Sequence, residues 1–89
     1  MRVINEYPIS VGGQVLHLGV NPIVRHFGTN AAGLCIWVEE DVDRPQNRCE
    51  SMVFHVMYAQ QHFDDKVWRY LATFVNKSGC VLHLHRCIA

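Results

Sequence analysis

Eighty-nine residues make one domain, large enough for a core but small enough that folding buries only about 60–65% of the chain's surface. Eight basic and eight acidic side chains cancel, which excludes the broad cationic footprint that duplex nucleic acid demands. Charged residues are only 18% of the chain, and so neutral a surface favours self-association.

No apolar run is long enough for a signal h-region or a membrane span, so a cytoplasmic location in a bacterial host cell, without membrane contact, is expected. Cys35, Cys49, Cys80 and Cys87 are then reduced, and their spacing contains no CxxC pair. Six histidines make the net charge sensitive to pH near the ordinary imidazole value.

A first strand is expected over residues 3–7, closed by Pro8, which cannot donate to a central ladder. Residues 9–11 run into a Gly12-Gly13 turn, residues 14–18 resume extended structure, and Gly19 with Asn21-Pro22 break it. A short third strand at residues 23–27 ends in Gly28-Thr29-Asn30. The stronger segment at residues 33–39 (GLCIWVE) puts Leu34, Ile36 and Val38 on the core face and Cys35, Trp37 and Glu39 on the other. Glu40-Asp41-Val42-Asp43 and Arg44-Pro45-Gln46-Asn47 read as an exposed, solvated connection.

Residues 51–58 (SMVFHVMY) are apolar on both faces, which suits a strand that is central or covered on its second side. Residues 59–66 read as a loop, the one place where a helical turn fits. The last segments, VWRYLATF, NKSG and CVLHLHRC, compose the hairpin around which the chain is organised. Simple alternation gives Trp68, Tyr70, Ala72 and Phe74 one face, and separates Leu82 and Leu84 from His83, His85 and Cys87. With turn signals at strand spacing and no helical period, the sequence predicts a single all-β domain over residues 1–89. Its form is a compact sandwich or small barrel of about six or seven mostly antiparallel strands, with no helix longer than about two turns.

The order of motifs resembles a family of small, functionally uncharacterised β-rich proteins of phage and prophage genomes. The resemblance rests on the aromatic strand and Asp/Pro loop from Trp37 to Pro45, on Phe54-His55-Val56, on Tyr70-Leu71-Ala72-Thr73-Phe74 and on Leu82-His83-Leu84. The family's Gly-Thr-Gly-His-Pro-like turn corresponds to Ala59-Gln60-Gln61-His62-Phe63, which keeps the histidine and lacks both glycines and the proline. Ala72 stands where the family has Gly. The resemblance implies a phage origin.

For chemistry, Cys80, His83, His85 and Cys87 are zinc-ligand types within one segment, yet alternation sends Cys80 to the opposite face, so a half-exposed histidine row is expected rather than a metal. No cysteine lies in a nucleophile turn. Aromatic stacking surfaces with a few guanidinium forks, without bulk positive charge, suit a small phosphorylated ligand. The candidate ligand-binding residues are Trp37, Arg48, Tyr58, His62, Trp68 and Arg69. The expected function is a non-enzymatic binding protein of phage–host conflict, a homo-oligomer that sequesters a nucleotide immune signal at a subunit interface. The alternatives are a protein inhibitor of a host defence protein and a minor virion or assembly component. No cofactor, metal or catalytic residue is assigned.

Overall fold

In the computed structural model, which describes residues 1–41 and 50–89, the alternating pattern becomes seven strands. They are β1 (Arg2–Pro8), β2 (Gly12–Leu18), β3 (Val20–Asn30), β4 (Gly33–Asp41), β5 (Glu50–Tyr58), β6 (Trp68–Val75) and β7 (Val81–Cys87). All pairings are antiparallel. Two sheets result, a three-stranded one in the order β1-β4-β3 and a four-stranded one in the order β2-β5-β7-β6. Of the two expected architectures the chain takes the sandwich, and no helix occurs among the described residues.

The inward rows of both sheets supply the core. Leu18, Phe27, Ile36, Val38, Phe54, Val56 and Leu84 are buried against one another, with the half-buried Tyr7, Leu71 and Phe74 closing its margins. Leu34, Ile36 and Val38 do lie on the core face of β4, as alternation requires. Each of these large aliphatic or aromatic side chains contributes about 1.5–3 kcal/mol on leaving water, which holds two otherwise unconnected sheets together.

Several turn signals are resolved differently in three dimensions. Gly12 takes φ +106° but opens β2 instead of reversing the chain, with the Gln14 amide closing back onto the Ser10 and Gly12 carbonyls. Asn21-Pro22 falls inside β3 as a bulge: Asn21 adopts φ +52°, which asparagine tolerates, and Pro22 is accommodated because β3 is an edge strand. A second irregularity at Arg25 lets β3 run on through Gly28-Thr29-Asn30. The reversal comes only at Ala31-Ala32, where Asn30 Oδ1 accepts from Ala32 N at 2.8 Å and Gly33 N at 3.1 Å.

The acidic run is the main correction on this side of the molecule. Glu40 and Asp41 continue β4 rather than leaving it as a solvated loop, and Glu40 is only 2% exposed. Its carboxylate accepts from Tyr7 Oη at 2.6 and 2.8 Å, from Asn5 Nδ2 at 3.4 Å and from the Gly19 backbone N–H. These donors make burial of a charge tolerable. Residues 42–49, the rest of the expected connection, lie outside the described residues.

Burial first, then the hydrogen bond to Glu40, pushes the Tyr7 phenol up to about 12. Because the folded value lies above the ordinary one, the stabilisation is present below about pH 10 and is lost as pH rises through about 12. In an absorbance titration of phenolate formation, one of the three tyrosines should therefore ionise last, and Tyr7→Phe should remove that last step. Retention of the late step in Tyr7→Phe would show that another tyrosine carries it.

On the outer face of the same sheet, Glu39 bridges Arg2 of β1, at 3.1 Å, and Arg25 of β3, at 3.0 Å. The hydrogen bond from Arg2, then that from Arg25, holds the Glu39 carboxyl below the usual range. Arg2 also donates to the Val20 and Asn21 carbonyls at 3.1 and 2.7 Å, tying the two edge strands across β4 and fastening the Asn21 bulge.

Candidate functional site

The hairpin of β6 and β7 closes on Asn76, whose Oδ1 accepts from Ser78 N and Cys80 N, both at 2.9 Å, with Gly79 at φ +82°. Its register, however, departs from simple alternation. Tyr70 pairs with His85 and Thr73 with His83, while Ala72 and Phe74 pair with Leu84 and Leu82, so Leu71 is an extra residue in β6. Ladder partners project to the same face. The bulge therefore keeps Tyr70 and Thr73, three residues apart, together on the outer face and sends Leu71, Ala72 and Phe74 toward the core.

That displacement builds a polar chain. Tyr70 Oη and Thr73 Oγ1 are 2.7 Å apart, and Thr73 Oγ1 lies 2.7 Å from His83 Nδ1. One row over, His55 of β5, His85 of β7 and Tyr70 of β6 line up across three adjacent strands, with Trp68 set edge-on to His55 at 5.3 Å. The segment at residues 59–67 passes over this face and brings Phe63 to 4.2 Å from the His85 ring, tilted by 54°. A hollow of about 300 Å³ remains, with Met57, Phe63, Tyr70, Thr73, His83 and His85 in its wall and Tyr58 at its rim.

His85 is the unusual member. It is 1% exposed, and neither ring nitrogen has a hydrogen-bond partner. Burial first, then the neighbouring His83 and His55 imidazoles, lowers its pKa; the His83 backbone opposes this more weakly, from a position that does not complete a hydrogen bond. Beneath Phe63, in the wall of the hollow, the fold thus holds a neutral imidazole with an unused donor and an unused acceptor. Among the described residues no three His, Cys, Asp or Glu side chains are grouped to hold a metal ion, and the His83 and His85 ring centres stand 6.5 Å apart. Cys35, Cys80 and Cys87 are free thiols, and burial pushes the Cys35 thiol up.

The residues singled out from the sequence disperse. Trp68 belongs to the outer face of the four-stranded sheet, Tyr58 pairs with Leu82 and so ends the core-facing row of β5 at the rim of the hollow, and His62 is exposed on the covering segment beside Phe63. Trp37 lies on the other sheet, packed on His26 at 5.0 Å, so it does not join the hollow. Arg69 pairs with Arg86, itself paired with the buried Phe54, which puts both guanidinium stems on the opposite side of the sheet from Tyr70. Arg48 is outside the described residues. Sequence reading isolated the histidine row of β7 but not the part played by Thr73, because the bulge at Leu71 leaves no local signature.

A family model described as a domain of unknown function, DUF7352, matches residues 1–88. The chain belongs to the DUF7352 family. No curated protein and no solved structure matches it. In this DUF7352 domain the outer face of the four-stranded sheet carries the buried, unpartnered imidazole of His85.

Proposed function

We propose that this DUF7352 domain is a non-enzymatic binding protein that holds a small ligand in the hollow over His85. The observation that carries this reading is the fully buried imidazole without a partner, since buried polar groups are nearly always bonded and the exceptions need an explanation. The Thr73 hydroxyl and His83 imidazole are a nucleophile-and-base pair in distance alone. Thr73 is also bonded to the Tyr70 phenol, and among the described residues no group bonds His83 Nε2 to orient the imidazole as a base. Holding a ligand without converting it is what the face is equipped to do.

In an amide shift survey against a small-fragment collection, the perturbations should cluster on Met57, Phe63, Tyr70, Thr73, His83 and His85. Perturbations that cluster elsewhere, or an absence of any, would overturn the assignment.

A second reading concerns the same face. Val15 and Val53 are ladder partners on it, 53% and 38% exposed, beside the half-buried Trp68. They support self-association through this sheet, and with it a site completed between subunits that sequesters a nucleotide signal in phage–host conflict. Trp68→Glu is expected to convert the assembly to monomers while keeping the fold, because Trp68 is outside the core. A wild-type mass near 10.2 kDa by light scattering at micromolar concentration would sink this reading without touching the first.

A further inference from the structure

We infer that the hollow takes an uncharged planar heterocycle of the nucleobase type, whose hydrogen-bonding edge meets His85 while the Phe63 ring swings aside to admit it. This rests on the hollow being the binding site. Four features of the hollow select the class.

The first is the unsatisfied imidazole. A buried polar group without a partner costs about 1–3 kcal/mol, which a ligand offering a donor or an acceptor recovers on binding. An aromatic hydrocarbon recovers nothing. The second is the charge of the wall: no Asp, Glu, Lys or Arg among the described residues lines the hollow, so a phosphate, carboxylate or ammonium would lose its water without meeting a counter-charge. The guanidinium stems of Arg69 and Arg86, which could have met a phosphate, are on the other side of the sheet.

The third feature is shape. With Phe63 turned away, the Tyr70 ring, 5.9 Å from the His85 ring, leaves an aromatic wall that favours a flat partner. The volume, about 300 Å³, is at the small end for ligand sites. The fourth is the covering segment. Its ends are tied to the sheet by Ala59 N to Val81 O, at 3.1 Å, and Ile88 N to Val67 O, at 2.7 Å. Between them its bonds are local, Gln61 N to Tyr58 O at 3.0 Å and Lys66 N to Asp64 Oδ1 at 2.9 Å. Phe63, 44% exposed, can therefore turn away from His85 without breaking either tie.

The test is an NMR titration of the ¹⁵N-labelled full chain with adenine and uracil, their 5′-monophosphates, and toluene as a planar probe that lacks any hydrogen-bonding edge. Adenine or uracil should move the His85 ring-nitrogen resonances. Each monophosphate and toluene should bind about ten-fold more weakly than the base, and His85→Leu should lose about ten-fold in affinity for it. Phe63→Ala, which removes the cover, should bind the base more tightly than wild type.

Equal or tighter binding of toluene or of the monophosphates would overturn the ligand class, and so would wild-type affinity in His85→Leu. If those probes still perturb the hollow, the binding-site reading survives. Weaker binding by Phe63→Ala would overturn the swing of Phe63. Failure of both bases to shift any residue of the hollow would overturn the inference as a whole, with the fragment survey deciding separately whether the hollow binds anything.

Discussion

Glu40→Ala should be the most damaging single substitution at a polar residue of this domain, with a loss on the order of 3 kcal/mol. The carboxylate gathers donors from three strand-associated positions, Asn5, Tyr7 and Gly19, at a place that is 2% exposed. Removing it strands the Tyr7 hydroxyl and the Gly19 N–H, each unsatisfied group costing about 1–3 kcal/mol before the site relaxes. Against a total of about 5–15 kcal/mol for a domain, such a loss is a large fraction of the stability.

Gly19→Ala approaches the same cluster from the other side. A Cβ there would sit 2.8 Å from the Asp41 carbonyl oxygen and 2.9 Å from Glu40 Oε1, so β4 or the carboxylate has to give way. Both variants should lower the urea midpoint strongly, whereas Glu39→Ala, one residue away on the solvent face, should lower it little. Equal losses for Glu39→Ala and Glu40→Ala would show that the buried cluster is not what anchors this end of the sandwich.

His85→Leu should do the reverse and stabilise the protein, by about 1–2 kcal/mol, because it exchanges an unbonded buried imidazole for an apolar side chain of similar size. For a domain of this size that corresponds to a rise in melting temperature of roughly 4–8 °C per kcal/mol. The gain should grow in acid. The groups facing His85 are His83, His55, Tyr70 and Phe63, none of which offers a negative charge.

Burial and the two imidazoles set the folded value below the ordinary 6.5. As pH falls below about 6.5 the unfolded chain takes up a proton that the folded chain resists, so the contribution present at neutral pH is lost through the folded value. His85→Leu should blunt that acid sensitivity. A melting temperature that drops at pH 7.5 in His85→Leu would mean that the imidazole is bonded in solution, and the argument for a ligand would go with it. Stability gained together with binding lost is the usual mark of a residue kept for function.

The residue pattern alone specifies the all-β class and most of the strands. Period-two alternation in residues 33–39 and 81–87 fixes which side chains of β4 and β7 enter the core, since a strand has only two faces. Asn76-Lys77-Ser78-Gly79 fixes the last reversal, because its side-chain acceptor and its glycine are local devices. Tertiary structure decided the rest. Glu40 reads as solvated in an acidic run, and only the approach of Tyr7 and Gly19 from distant positions makes its burial affordable. Asn21-Pro22 reads as a turn, and only Arg2 reaching across β4 to the Val20 and Asn21 carbonyls holds it as a bulge within an edge strand. The hollow depends on one extra residue at Leu71, which puts Tyr70 and Thr73 on the same face as His83 and His85. Alternation counts residues along one strand, whereas a bulge is defined only against the strand beside it, and that partner is chosen by the packed sheet.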